Sequence, residues 1–447
     1  MKLARHHLVP LRLRTFVVAA LGLSPALALA QATAPESLDL KAAIRYALDH
    51  NFAIRQARER IRQQDGVVIE VSAREIPNVG ASAAYQLNDR AIATSFPASD
   101  RTWQISLSAS QVLYSGGGVG AAVRGSKLSR EAAVLDLQAV INDAMLQVRT
   151  AFYGVLLAQE KVKVQESNLE LLQQQLKTVS DRFEAGTVSS FEKLRAEVAV
   201  ANAKVPLITA RNDHRLAIEA LRQALGLTNG ATEPLRASLA VDGQLEYRPV
   251  SFDLVTAFSA AKANRPDLER LARLTQAREE SVTGAKSARL PTVSAFGGWT
   301  LRKGPTNSFG DSSNGWLAGV QSQWAIFDGR ATAGRVAQAQ SLLEQGKLAV
   351  SEAQLAVEVE VRRAFSQWQQ AVELAEASQR VVEQASEAVR LANARYSAGT
   401  GTQLDVLQAQ VELTTARTNQ IQAFYTYNVA VAALRKAMGQ ADEFVSG

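Results

Sequence analysis

RYSAGTGTQLDVLQAQ, residues 395–410, and RFEAGTVSSFEKLRAE, residues 182–197, are two versions of one segment set 213 positions apart. Six of the sixteen positions are identical, and Tyr/Phe, Asp/Glu and Thr/Ser pairs fill several others. No proline interrupts residues 98–205 or 306–447, the stretches that hold the two copies. A glycine between two uninterrupted helical stretches reads as the turn of a helical hairpin, because only glycine takes positive φ at no cost. The chain therefore makes the same hairpin twice.

The likeness extends outward at an offset of 213 or 214. Asn51 meets Asn264, Pro77 meets Pro291, Tyr114-Ser115-Gly116 meets Phe327-Asp328-Gly329, and Leu225-Gly226 meets Met438-Gly439. Residues 31–227 and 251–440 form two structural repeats on this reading. The turn-rich segment 228–250 is the linker between them, and 441–447 is a C-terminal tail. Each repeat opens with a helical region, 38–75 or 251–288, where Pro266 suits the first position of a helix. Two strand-like runs around a polar loop follow, then a very long helix, the glycine turn and a returning helix.

The long stretches carry a heptad pattern. Val134, Ile141, Val148, Val155, Val162, Leu169, Leu176 and Phe183 recur every seven residues, beside Leu137, Ala144, Ala151, Ala158, Gln165, Leu172 and Val179. The second repeat keeps the phase in Val361, Trp368, Ala375, Val382, Val389 and Tyr396, beside Val357, Ala364, Ala371, Ser378, Ala385 and Ala392. A repeat this long specifies helices that supercoil left-handedly, and the alanines let them approach closely. A helix over about 119–184 would be roughly 100 Å long at 1.5 Å per residue. Pro206, inside the first returning helix, predicts a kink or local break there.

The strand candidates lie at about 78–87, 101–114, 292–301 and 316–327. Trp103, Ile105, Leu107 and Ala109 alternate with Gln104, Ser106, Ser108 and Ser110. Val79, Ala81, Ala83, Tyr85 and Leu87 share a parity, as do Val293, Ala295, Gly297, Trp299 and Leu301. In the last run Trp316, Ala318, Val320, Trp324 and Ile326 oppose Gly319, Gln321 and Gln323, with Leu317 and Ser322 imperfect. Runs of about ten residues with period two and terminal aromatics suit either membrane strands or a soluble half-buried sheet. In a membrane, four strands are too few to close a barrel and open edges cannot face lipid, so several chains must share one wall.

Composition narrows the classes. Lys2, Arg5, Arg12 and Arg14 precede the apolar run Phe16–Leu23, and Ala28-Leu29-Ala30 precedes Gln31, so residues 1–30 read as a secretory signal peptide. Those thirty residues carry four basic and no acidic side chains, so the formal charge of +6 falls to +2 without them. A basic nucleic-acid surface loses its support, and no nucleic-acid partner is expected. There is no cysteine for a disulfide or a lipid anchor, and beyond the leader no apolar run reaches transmembrane-helix length. Entry into a membrane would have to use strands.

At this point the residues carry a resemblance. The chain resembles the TolC-like outer-membrane efflux proteins over essentially its whole mature length, most specifically through the R-[YF]-x-x-G-T turns and residues 395–439. The resemblance implies a homotrimer in the outer membrane of a Gram-negative bacterium. Its twelve strands would form one barrel in outer-membrane lipid, and its twelve helices a tunnel through the periplasm. It also implies a periplasmic adaptor and an inner-membrane pump of the RND, ABC or MFS type, in drug efflux or type I secretion.

By the same resemblance, 182–192 and 395–405 are the periplasmic tips, where the tunnel closes and the adaptor docks. Gly186, Thr187, Gly399, Thr400 and Gly401 are then adaptor-contacting positions, or turn chemistry alone. Asp405 matches the outer of two acidic rings at the closed mouth, where crowded carboxylates would have raised pKa values. A solvated helix-start carboxylate is the other reading of Asp405. The second acidic position is here Gln408, and Glu192 holds the equivalent place in the first repeat. Tyr396 matches the family's gate tyrosine, whose usual basic partner position falls on Gly401.

No catalytic reading competes. His50 and His214 are the only histidines beyond the leader, and no phosphate loop, metal spacing or nucleophile motif is present. No cofactor is expected. The alternative is a soluble periplasmic coiled-coil adaptor or scaffold, which accounts for the leader and heptads but not for four matched strands. The exported substrate is not legible in a generic tunnel wall.

Overall fold

The computed structural model describes residues 37–87, Asp89, 101–227, 240–304 and 310–445. The expected leader with its cleavage site, and the first half of the expected linker, lie outside the described residues.

In chain order the elements are β1 (Ser37–Leu38), α1 (Leu40–His50), α2 (Phe52–Ser72), a single 3-10 turn, β2 (Asn78–Leu87), β3 (Arg101–Tyr114), α3 (Gly118–Glu184) and α4 (Ser190–Leu225). After these come β4 (Ala240–Val241), α5 (Leu254–Asn264), α6 (Pro266–Ser287), β5 (Thr292–Lys303), β6 (Ser312–Gln323), α7 (Ala331–Ser397) and α8 (Gln403–Ala437). Helices α3 and α7 each contain 67 residues, roughly 100 Å at 1.5 Å per residue.

The heptad positions face neighbouring helices. Ala144, Val148, Val155, Ala158, Leu172 and Val179 are buried on α3, and Val357, Val361, Ala364, Ala371 and Ala375 on α7. Each long helix packs on its own return helix, α3 on α4 and α7 on α8, and α3 also meets α8. Nearer the sheet, α2 and α6 take the places of the return helices beside α3, and α6 leans on α7. Arg130–Asp65 and Arg124–Glu280 ion pairs, at 2.5 and 2.7 Å, tie α3 to α2 and α6 respectively. The long helices and their returns thus stand side by side.

Helix α4 runs unbroken through Pro206, contrary to a local break there. Ala203, Leu207 and Ala210 are buried around it, and this tertiary packing offsets the hydrogen bond that proline removes.

The landmarks shared by the two halves sit where the short helices meet the end of a return helix. Asn51 ends α1 and starts α2: its Oδ1 accepts from the Ala53 and Ile54 amides, and its Nδ2 donates to the Ala224 carbonyl at 2.7 Å. Gly226 lies against this junction at φ 74, where a Cβ would stand 2.5 Å from the His50 carbonyl oxygen. Ile44, Ile54, Met145, Phe152, Leu221 and Leu225 fill the core around it.

The expected linker is partly structured. β4 pairs with β1 in parallel, and the Tyr427 hydroxyl accepts from the Val250 amide at 2.9 Å and donates to the Arg248 carbonyl at 2.6 Å.

The four longer strands form one antiparallel sheet in the order β2-β3-β5-β6. Register settles the faces. Ala81, Leu107, Trp299 and Trp316 form one cross-strand row, and Val79, Ala109, Gly297 and Ala318 the next on the same face. The opposite face carries Ser82, Ser106, Thr300 and Gly315. One side of the sheet is therefore apolar and the other mostly small and polar, with Phe296 and Leu317 as exceptions. Among the described residues no layer of this chain covers the apolar side, where Trp316 is 81% exposed. The ladder of β6 covers 312–323 instead of the expected 316–327; it stops at Gln323 because its partner β5 begins just after Pro291, which offers no amide.

Candidate functional site at the helical tips

Both hairpins turn by the same hydrogen bonds. At the end of α3, Gly186 N–H donates to Phe183 and Thr187 N–H to Arg182, at 3.0 and 2.9 Å. At the end of α7, Gly399 N–H donates to Tyr396 and Thr400 N–H to Arg395, at 3.1 and 3.0 Å. These are Schellman turns, with the glycines at φ 71 and 75. The motif R-[YF]-x-x-G-T is thereby explained residue by residue. The Arg and aromatic carbonyls accept, the glycine supplies the left-handed step, and the threonine closes the outer bond.

The threonine hydroxyls do the same work. Thr187 Oγ1 donates back to the Arg182 carbonyl at 2.9 Å, and Thr400 Oγ1 to that of Arg395 at 3.2 Å. Gly401 N–H also reaches Arg395, at 3.0 Å. Thr187 and Thr400 remain solvent-exposed residues, yet their hydroxyls are already used as donors. Their oxygens keep the capacity to accept a hydrogen bond.

No heavy atom lies near a Cβ built on Gly399, so Gly399→Ala meets backbone strain only. The expected cost is about 1–2 kcal/mol, read as faster amide exchange in the last turn of α7. Unchanged exchange would refute the assignment of that turn to the left-handed residue.

Asp405 starts α8 inside a capping box. Its amide donates to Thr402 Oγ1 at 3.2 Å, and its carboxylate accepts from the Thr402 amide at 2.9 Å. The backbone and side-chain hydrogen bonds of Thr402, then the charge of Arg395, hold this carboxyl below the ordinary aspartate range. Within one protomer the direction is opposite to the raised value expected of crowded carboxylates. Glu192 occupies the matching N3 position of α4, its amide 3.4 Å from Ser189 Oγ. Gln408 donates along its own helix to Glu412 at 3.4 Å. The pattern Thr-x-x-Asp in TGTQLD was the readable signal for this box.

The structure brings Tyr396 next to a residue that sequence reasoning did not single out. The Arg182 guanidinium lies 5.1 Å from the centre of the Tyr396 ring, joining the end of α3 to the end of α7. The Tyr396 hydroxyl is buried without a hydrogen-bond partner. On the first hairpin, Lys193 instead covers Phe183 at 5.3 Å and Arg195 covers Phe191 at 4.7 Å.

Far from the tips, the sheet has the dimensions of a membrane segment. Trp103 and Tyr114 stand eleven residues apart on β3, about 36 Å along a strand at 3.3 Å per residue. At a tilt of 35–45° that length becomes roughly 25–30 Å, the height of an outer-membrane apolar band between aromatic girdles. Among the described residues no helix is long and apolar enough to cross a membrane.

A helical wall of this length carrying a sheet with one apolar face defines an outer-membrane channel with a long helical stalk. The chain belongs to the outer membrane efflux protein family, which it matches over residues 43–227 and 257–440. It is 24% identical to protein CyaE of Bordetella pertussis, over 91% of this chain and 85% of that protein. It is 26% identical to the outer membrane protein TolC of Escherichia coli, over 67% of this chain and 62% of that one. Among solved structures, the Campylobacter jejuni CmeC outer membrane channel superposes with a TM-score of 0.78 over 91% of this chain and 87% of that chain, at 17% identity. The protein is accordingly an efflux channel of the Gram-negative outer membrane, and the soluble scaffold alternative falls.

Proposed function

We propose that three copies of this chain close into one passive export duct, a barrel of twelve strands above a tunnel of twelve helices, gated at the tips. The observation that carries this is the open four-stranded sheet. β2 and β6 leave unpaired edges beside an uncovered apolar face, and lipid tolerates neither an open edge nor a partial barrel. The helical wall supports the same reading. Phe191, Leu194, Val198, Val205 and Ile208 repeat along α4 at spacings of three, four and seven, and all are exposed in the single chain, as a seam awaiting another helix would be. A periplasmic adaptor engages the tips, and an inner-membrane pump supplies the energy and selects the cargo.

Reconstitution into planar bilayers tests the duct. Discrete single-channel currents and a cross-linked trimer are expected. A soluble monomer that never inserts would overturn the proposal.

The role of Asp405 at the mouth is tested separately by Asp405→Asn. Asparagine still accepts the Thr402 amide bond, so the cap persists while the charge is lost. Cation preference, measured as reversal potential across a salt gradient, is expected to fall. An unchanged preference would remove Asp405 from the pore and leave it as a capping residue.

A further inference from the structure

We propose that Arg182 is the residue that fastens the second hairpin tip to the first, gripping the face of Tyr396 and making no use of its hydroxyl. The proposal rests on the gated-tip reading above. Three observations lead to it. The guanidinium lies over the ring at 5.1 Å, within the range of a cation–π contact. The Tyr396 hydroxyl has no partner, so the contact holding this side chain is with its ring. Both residues are anchored by their turns, since the Arg182 carbonyl accepts from Thr187 and the Tyr396 carbonyl from Gly399.

The two copies of the motif differ in a way that accounts for the choice of partner. On the first hairpin, Phe183 is covered from its own return helix by Lys193. The position matching Lys193 in the second copy is Val406, which is buried and carries no charge. The ring of Tyr396 is left without a cation from its own hairpin, and Arg182 of the other hairpin occupies its face. The tip contact is therefore asymmetric, running from hairpin one to hairpin two.

Polar contacts also join the hairpins farther along their helices. Thr414 meets Asn168 at 3.1 Å and Lys161 meets Gln422 at 3.1 Å. Gln403 and Gln410 are buried on α8 with side-chain atoms that find no hydrogen-bond partner. The apolar cluster of Leu172, Val200 and Ala203 in hairpin one also takes in Leu407 of α8. Of these contacts the Arg182–Tyr396 pair lies nearest the turns, so a clasp there bears directly on whether the tip of hairpin two stays in place.

The absence of cysteine makes the test direct. Spin labels at Glu184→Cys and Ser397→Cys report the separation of the two tips, and single-channel conductance of unlabelled variants reports closure. Arg182→Lys and Tyr396→Phe keep a cation and a ring face, and both are expected to retain the narrow wild-type distance distribution and the resting conductance. Arg182→Met and Tyr396→Ala are expected to broaden the distribution and raise the open fraction by about two- to fivefold per contact. The double variant Arg182→Met/Tyr396→Ala should open no further than either single one. The proposal is overturned if Tyr396→Phe opens the tips while Arg182→Met leaves them closed, or if all four single variants match the wild type. A wild-type chain that conducts nothing would sink the duct reading, while the distance distributions would still decide the clasp.

Discussion

Leu107→Arg should remove the protein from the outer membrane, whereas Ser106→Arg should leave it there with a narrower pore. The two residues are neighbours on β3 and differ only in the face they occupy. Leu107 pairs with Ala81 and Trp299 and is half exposed in the single chain, on the apolar side. Ser106 pairs with Ser82 and Thr300 on the other side, and its hydroxyl lies 2.7 Å from that of Ser82. Leu107 is near the middle of its strand, and an arginine at the midplane of a lipid-facing barrel surface costs about 2–4 kcal/mol. In water the sign would reverse, because replacing an exposed leucine by arginine removes apolar surface from solvent. Membrane fractionation and urea unfolding from lipid vesicles read the difference. Equal abundance and equal unfolding midpoints for the two variants would sink the assignment of the apolar face to lipid.

The apolar face itself was legible because period two survives in the amino acids even where burial in one chain does not show it. The residues on one parity of β2, β3, β5 and β6 meet one another across every ladder. The heptad seams were legible for a related reason: a helix that must touch its partner every seven residues cannot hide the repeat. What the pattern did not reveal was chemistry made by position within a turn. Thr187 and Thr400 read as adaptor-contacting positions or as turn chemistry alone, and the sequence did not show their hydroxyls on the Arg182 and Arg395 carbonyls.

Pro206 predicted a kink or local break from a local rule, and α4 continues through it without the break. The segment 240–250 read as linker because turn formers look alike whether or not a tyrosine such as Tyr427 secures them. Arg182 was hidden for a different reason. Its partner lies more than two hundred residues away, and only the Lys193/Val406 difference between the copies hints that Tyr396 needs a cation from elsewhere.

The tail offers the largest single effect on stability. Asp442 accepts two hydrogen bonds from the Arg149 guanidinium, at 2.5 and 2.9 Å, and both side chains are more than nine-tenths buried. Glu443 adds a third bond at 3.1 Å, and the Phe444 ring lies 5.2 Å from the guanidinium carbon. Burial works against the charged form of each partner. For both, the hydrogen bonds outweigh it: Arg149 is pushed up and Asp442 is held below the ordinary aspartate range.

Asp442→Ala leaves Arg149 buried without its main partner, which should cost about 3–5 kcal/mol. A paired Arg149→Met/Asp442→Leu variant should recover most of that loss, since no charge then remains to be left unmet. The pH dependence follows in sign. A carboxylate whose pKa is lower in the folded state stabilises fully above its unfolded value, and the contribution disappears as pH falls through the folded one. Wild-type unfolding midpoints should therefore drop in acid more steeply than those of the paired variant. Truncation after Gln440 removes Asp442, Glu443 and Phe444 together and should resemble Asp442→Ala. If the truncated protein unfolds at the wild-type midpoint, the tail does not secure α3, and the second half is held to the first by the helices and the β3–β5 ladder without it.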